Sequence, residues 1–530
     1  MRIYAPLISE PQPQLQLVEV ASFFQLPSFQ IIGLPAPEVA EAKERVRSAI
    51  EESGIEFPKK RVILNLSPAS IRKRGTGLDL AMALAILAQG KSGGESVGAW
   101  GELGLDGTLK GAGQLTRVVF AAWRGGLSHL FLSRLEYEDG LRALAYVRES
   151  GEVSGPPPVL IPALALGEAW KKLSARGGLP KRGAEAIQSL PEDSLPEVQN
   201  STPASTLLPL SSALERVMCV AAAGYLHFLL LGPRGTGKSH ALEWFIAIQP
   251  PISPQDRLQQ ILLAEINPGW VREETLPIRV PVRRVSSQVR PSALVGGATA
   301  AAIRPGEFSL AHGGVLIADE LPEWARDSRE VLREPLERGT VMLTRVQGSV
   351  ELPARFLFAS NGNLCPCGGW PPELPFPEGE GGGGRASRCK CTYSARQSYL
   401  ARLSGPLLDR IDLVTWVVLP PSVEVREAAS LQQVEALRNQ VAEVRNRLKS
   451  SWGALPGFLG GAELESLLKA HPAWVESLAE LNFVSLRSRH KILRLAMTLA
   501  ALDGEEGPKS AHFTEAFYYR PERIFNSVSN

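Results

Sequence analysis

Residues 229–239 read LLLGPRGTGKS, an apolar run that breaks into a glycine-spaced loop and ends on a lysine and a hydroxyl. Gly232, Pro233, Arg234, Gly235, Thr236 and Gly237 supply the spacing G-x-x-x-x-G, and Lys238 and Ser239 complete it. Glycines there allow a tight loop whose backbone N–H groups can surround phosphate oxygens. The lysine can reach the outer phosphates and the serine hydroxyl can bind magnesium. The flanks agree, since YLHFLLL predicts a strand before the loop and SHALEWFIAI a helix after it.

A second element of the same chemistry lies about eighty residues on, in GGVLIADELPE. Val315 to Ala318 should form a buried strand that delivers Asp319 and Glu320 at its end. An aspartate there can hold magnesium through water, and the glutamate can polarise a water for in-line attack on a terminal phosphate. A third strand, ARFLFASNGN, ends in Asn361 and Asn363. Either could orient that water, and the other is expected to be a turn asparagine bonding its own backbone. Arg410, in SGPLLDRID, falls in a short helix leading into a strand, and Arg487, in VSLRSRHK, starts a C-terminal helix. Phosphoryl transfer needs such positive charge over the terminal phosphate, supplied across a subunit interface. Taken singly, each reads as a surface ion-pair arginine.

Cys365, Cys367, Cys389 and Cys391 form two pairs separated by twenty-one residues rich in Gly and Pro. Four thiolates can close a tetrahedral zinc site and anchor a loop without a core, although the one-residue spacing is tighter than usual. Free thiols and an iron–sulfur cluster are the alternatives. Cys219, in VMCVAAAG, is expected in the core.

These groups must be positioned by a chain of 530 residues, too long for a single core. Residues 1–151 alternate strands and helices in one α/β or α+β unit, in which QLVEVASFFQLPSFQIIGLP reads as paired strands. Residues 152–208 are rich in Pro and Ser and predict a mostly irregular linker around one short helix. Residues 209–419 form a second α/β unit, and 420–530 carry helical periodicity throughout. A formal charge of +2 excludes a uniformly basic coat. No segment is apolar enough to span a membrane, and five cysteines in so long a chain fit a reducing cytoplasm.

Together these residues resemble the magnesium-chelatase-subunit-like AAA+ ATPases, in particular the competence protein M group. The resemblance runs through IIGLP, SGIEFPKKRVILNLSPASIRK and GELGLDGTLKG, then RPGEFSLAHGGVLIADELPEW, CPCG and LSGPLLDRIDL, and finally LRSRHKILRLA. It implies a Lon-protease-like (ribosomal S5 domain 2-like) α+β domain, a central AAA+ P-loop α/β domain and a C-terminal helical lid. It further implies ATP and magnesium at the phosphate loop, Asp319 and Glu320, and Asn363 rather than Asn361 as the water-orienting residue. Arg410 matches the arginine finger and Arg487 the arginine that reads nucleotide state from the lid. The implied assembly is a hexamer, and the implied activity a DNA helicase promoting branch migration in recombination and transformation.

The chain departs from the family where Pro-His-His is replaced by Val285, Ser286 and Ser287, and where LPLSSALERV stands in place of a Gly-Gln on the adenine side. On the Lon pattern Gly77 takes the serine position and Thr116 the lysine position, so no peptidase is expected. Arg290 and Arg304 in RPSALVGGATAAAIRPGEFSLAH, with Arg279, Arg283 and Arg284 upstream, could meet DNA phosphates without reading sequence. The rival readings are a remodeller like the chelatase motor, acting on a protein partner, and a nucleotide-gated binding module.

Overall fold

The computed structural model describes residues 2–520 except 9, 34–35, 68–72, 74, 92–95, 176–178, 181–206, 267–279, 300–301, 346–347, 371–388, 418–429 and 482–484. The N-terminal body is a seven-stranded sheet in the order Ser28–Ile32, Arg61–Leu66, Gln14–Phe23, Arg2–Leu7, Ser96–Ala99, His129–Ser133 and Val159–Ala163. The last four run parallel, whereas Gln14–Phe23 is antiparallel to both neighbours. Helix Asp79–Leu87 is apolar on every side beyond Asp79, which pairs with Arg45, and it is buried accordingly.

Two expectations change here. Gln14–Phe23 and Ser28–Ile32 are not paired, because Arg61–Leu66 lies between them and bonds to both. Residues 159–174, expected within the linker, belong to the N-terminal body. Val159–Ala163 is the strand at one edge of its sheet, and helix Leu166–Ser174 buries Leu166, Ala169 and Leu173 in its core. The Pro-rich approach, SGPPP, masked the strand because proline is tolerated at a sheet edge. Residues 181–206 of the expected linker lie outside the described residues.

The second body is built on a five-stranded, all-parallel sheet in the order Val282–Val285, Val315–Ala318, Leu357–Gly362, Phe228–Leu231 and Leu413–Trp416. Its central strands are buried along their whole length without alternation, with apolar clusters packed on both faces. Helices Leu431–Trp452, Gly461–Ala470, Pro472–Ala479, Leu486–Leu502 and Ser510–Tyr518 follow and share a core with helix Ser212–Gly224 and the sheet. Ser430 and Gln433 form a capping box that starts the first of them.

The bodies meet through helix Pro254–Ile266, which follows the phosphate-loop helix. Its Leu258 and Leu262 join the N-terminal core, and Arg257 pairs with Glu149 at 3.2 Å. Among the described residues, no helix is long and apolar enough to cross a membrane.

Candidate nucleotide site

Residues 232–237 connect strand Phe228–Leu231 to helix Lys238–Ala247, as the spacing predicts. Gly237 caps that helix at φ 88°, a left-handed conformation that a side chain resists. Gly232 passes so close to the Val417 carbonyl that a Cβ would stand 2.4 Å from its oxygen. Lys238 is buried. Its Nζ donates to the carbonyls of Gly232 at 2.9 Å and Pro233 at 2.6 Å and to Asn363 Oδ1 at 3.3 Å. Burial pushes this ammonium down to about 8, with the Glu320 carboxylate partly offsetting the effect. A buried cation bonded only to neutral oxygens fits a polyanionic phosphate. Thr236 donates to the Pro233 carbonyl at 3.0 Å, and the Arg234 side chain and Ser239 are exposed.

Strand pairing brings the second element to the same edge. Ala318 is opposite Ser360, and Leu231 is opposite Gly362, so three parallel strands end together. That carboxyl edge is where α/β sheets bind ligands. Asn361 Nδ2 donates to Asp319 Oδ1 at 2.9 Å, and Asn361 Oδ1 accepts from the Glu320 N–H at 2.8 Å. Glu320 is exposed with φ 49°, so this clamp holds a strained turn. The expectation of one idle turn asparagine is therefore not met, since Asn361 binds the acidic pair and Asn363 the lysine.

Arg410 lies in the turn just beyond helix Gly405–Leu408, rather than inside it. Its guanidinium bonds to Glu337 and to the Pro406 carbonyl. Arg487, in the first turn of Leu486–Leu502, stands 3.7 Å from Glu337 and 3.8 Å from Asp409. Glu337 thus joins the two arginines, and neither is bonded to residues 232–239 of its own chain. Glu337 carried no spacing signal, because it lies about seventy residues from Arg410 and meets it only through the fold.

The four cysteines also converge. All four sulfurs lie within 4.8 Å of one another, with none in a disulfide. The Gly369 N–H holds Cys367 below the usual thiol range, and burial pushes Cys365 above it. Cys219 is buried in the core.

The segment from Arg290 forms a small hairpin, Gly296–Ala298 against Ile303–Pro305, and leaves Arg290 and Arg304 exposed. Arg283 and Arg284 are instead neutralised by Glu307 and Glu243 at 2.6 Å each, so they add no free charge. Arg279 is outside the described residues. A longer hairpin, Thr340–Arg345 against Gly348–Pro353, packs beside the first and was missed. The alternation in TVMLTR and SVELP was its signal.

Three family models match the chain. "Magnesium chelatase, subunit ChlI" covers residues 211–425, "Subunit ChlI of Mg-chelatase" residues 18–135, and "Magnesium chelatase, subunit ChlI C-terminal" residues 432–520. The chain is 30% identical to the uncharacterized protein YifB of Salmonella typhimurium over 95% of this chain and 93% of that one. It is 29% identical to competence protein ComM of Haemophilus influenzae, over 100% of this chain and 98% of the relative. An uncharacterized protein of Mycobacterium tuberculosis is 30% identical over 93% of both chains.

Proposed function

Since the chain belongs to the magnesium-chelatase-subunit family of AAA+ ATPases, we propose that it is a cytoplasmic, ATP-driven DNA motor working as a homohexameric ring, akin in role to the competence relative. The observation that carries this reading is the separation of two half-sites. Lys238, Asp319, Glu320 and the two asparagines gather at one sheet edge, while Glu337 holds Arg410 and Arg487 together elsewhere. A cradle without its arginines, and arginines without a cradle, complete each other when two copies meet head to tail.

In that assembly the loop amides and Lys238 bind the triphosphate, and Ser239 and Asp319 hold magnesium. Bound magnesium ATP supplies the phosphoanhydride whose cleavage releases energy. Glu320 accepts the proton of the attacking water, and Asn363, bridged to Lys238, orients that water. Asn361 fixes the Asp319 carboxylate and the backbone turn at Glu320. Arg410 neutralises charge on the neighbour's terminal phosphate, and Arg487 reports the state of that phosphate through the C-terminal helices, which act as the lid. Lys491 ties those helices to the Arg410 segment by donating to the Leu408 carbonyl at 2.8 Å. The two neighbouring hairpins are the DNA-facing elements. The four thiolates hold a structural zinc ion.

The N-terminal body is non-proteolytic in this reading. A Cβ on Gly77 would stand 2.3 Å from the Trp100 ring, which is fixed by its own bond to the Gly113 carbonyl. An indole fills the place of a nucleophile. The Thr116 N–H is engaged by Glu265 at 3.2 Å.

The test is ATP turnover with and without branched DNA, followed by subunit mixing. Lys238→Ala and Arg410→Ala proteins should each be inactive, and mixing them should restore part of the turnover, because one keeps the arginines and the other the cradle. No recovery on mixing, together with turnover indifferent to DNA, would refute the motor.

A further inference from the structure

We propose that Cys365, Cys367, Cys389 and Cys391 form a closed tetrathiolate zinc site whose bound ion sets nucleotide affinity by fixing the wall on which the phosphate loop rests. This rests on the reading of residues 232–239 as an ATP site.

The sulfur geometry suits one ion. Cys365 and Cys367 are 3.4 Å apart at Sγ, and Cys389 stands 3.6 Å from each of them. Zinc–sulfur bonds of about 2.3 Å in a tetrahedron require sulfurs about 3.8 Å apart, so a small outward relaxation admits the metal. An iron–sulfur cluster, with several atoms between its thiolates, needs a wider cage. Four reduced thiols are weak hydrogen-bonding groups, and Cys367, Cys389 and Cys391 are not buried. Neither bonding nor burial therefore explains why they converge. The Gly369 N–H points at Cys367 Sγ from 3.4 Å, the usual way of supporting a metal-bound thiolate.

The position of the cluster gives it a consequence. The segment 362–368 touches the phosphate loop at three points. Gly362 offers its carbonyl to the Gly232 N–H at 3.2 Å, Asn363 accepts from Lys238, and Gly368 offers its carbonyl to the Arg234 N–H at 2.8 Å. Gly368 adopts φ +69°, and a Cβ there would stand 2.4 Å from the Arg234 side chain. Two of the four ligands, Cys365 and Cys367, lie inside this segment. The other two lead into helix Tyr393–Leu400, whose Tyr399 and Leu400 are anchored in the sheet's core. Arg396 of that helix stacks on Trp370 at 4.5 Å. A zinc ion therefore crosslinks the phosphate-loop wall to a rigid helix, where otherwise a few hydrogen bonds would hold it.

Elemental analysis of the full-length protein should find about one zinc per chain, as a single closed site requires. Cobalt-substituted protein should show the charge-transfer absorption of tetrahedral thiolate ligation. Cys391→Ser should lose the metal and bind a fluorescent ATP analogue about tenfold more weakly, equivalent to one lost hydrogen bond. Stripping zinc from the wild type should do the same, reversibly on adding zinc back, which covers a variant that fails to fold. Gly368→Ala should keep zinc yet weaken nucleotide, and Lys238→Ala should keep zinc and lose nucleotide. Absence of zinc, with all four thiols freely reactive, overturns the site. Zinc present with unchanged affinity in Cys391→Ser, Gly368→Ala and stripped protein overturns the coupling. Zinc present in a wild type that binds no nucleotide overturns the coupling through the ATP reading and leaves the metal site standing.

Discussion

In the proposed mechanism Lys238 and Glu320 divide the work at a single phosphate, and their variants should separate accordingly. Lys238→Ala removes the one buried cation of the cradle, so nucleotide binding itself should vanish in a filter or fluorescence assay. Glu320→Gln keeps the shape of the turn and its amide bond to Asn361. It should bind nucleotide normally and turn over at a rate lower by about a hundredfold or more, the usual contribution of a general base. Unchanged turnover would remove Glu320 from the mechanism. Gly77 makes a prediction of the opposite kind. Gly77→Ser would introduce the hydroxyl of a peptidase, but its Cβ meets a tryptophan that is 1% exposed and hydrogen-bonded. It should destabilise the protein by about 1–3 kcal/mol through overpacking, read as a lower denaturant midpoint, and yield no peptidase activity.

Two elements depend on residues outside themselves. Helix Leu115–Arg124 starts at Gln114 with no side-chain cap of its own. Glu265 provides one from another body, accepting from the Thr116 and Arg117 N–H groups at 3.2 and 2.9 Å. Glu265→Ala would leave two buried amides unpaired, beside a guanidinium with no exposure, and should cost about 2–3 kcal/mol. Glu265→Gln, which keeps an acceptor, should recover part of that in the same unfolding measurement. The phosphate-loop strand has a comparable dependence on His227, which directly precedes it. His227 Nδ1 accepts the Phe358 N–H at 3.2 Å, so the folded ring is neutral there. Desolvation holds its pKa below the ordinary 6.5, against the pull of Asp412 and with Arg494 and Lys491 adding to the depression. The folded state therefore binds fewer protons than the unfolded chain just below that value. Its contribution to stability is intact above about pH 6.5 and is lost as pH falls through the window beneath it. The melting temperature should drop between about pH 7 and pH 5, and His227→Asn should flatten that slope. An unchanged slope would show that the imidazole does not titrate with folding.

Across the whole molecule, helix Pro254–Ile266 works on both sides. One side buries Leu258 and Leu262 in the N-terminal core, and Arg117 donates to the Leu262 carbonyl at 2.7 Å. On the other, Gln260 donates to the His312 carbonyl at 2.6 Å, and Asp256 pairs with Arg355 at 2.6 Å and His312 at 3.3 Å. His312 lies just before the strand that delivers Asp319 and Glu320. The N-terminal body is thereby fastened to the acidic pair through one rigid helix. Calorimetry should show the two bodies unfolding in a coupled transition, with Leu262→Ala lowering it by about 2–4 kcal/mol. Two separate transitions, only one of them sensitive to Leu262→Ala, would contradict the coupling.

What could be read from the chain by itself was what a short window contains. The strand, loop and helix around Lys238, the strand that ends in Asp319 and Glu320, and the helix start at Arg487 all appear where spacing predicted them. Each is set by glycine conformations, by period-two or 3.6-residue patterning, or by a capping serine, all of which act over a few residues. Tertiary structure alone decided which strand lies beside which. That choice separated Gln14–Phe23 from Ser28–Ile32, drew residues 159–174 into the first sheet, and gave Asn361 to the acidic pair and Asn363 to the lysine. It also joined Arg410 to Arg487 through Glu337, and Glu265 to Thr116 across 149 residues. Such contacts follow from how sheets and helices bury their apolar faces against one another, a balance struck over the whole core that no local spacing encodes.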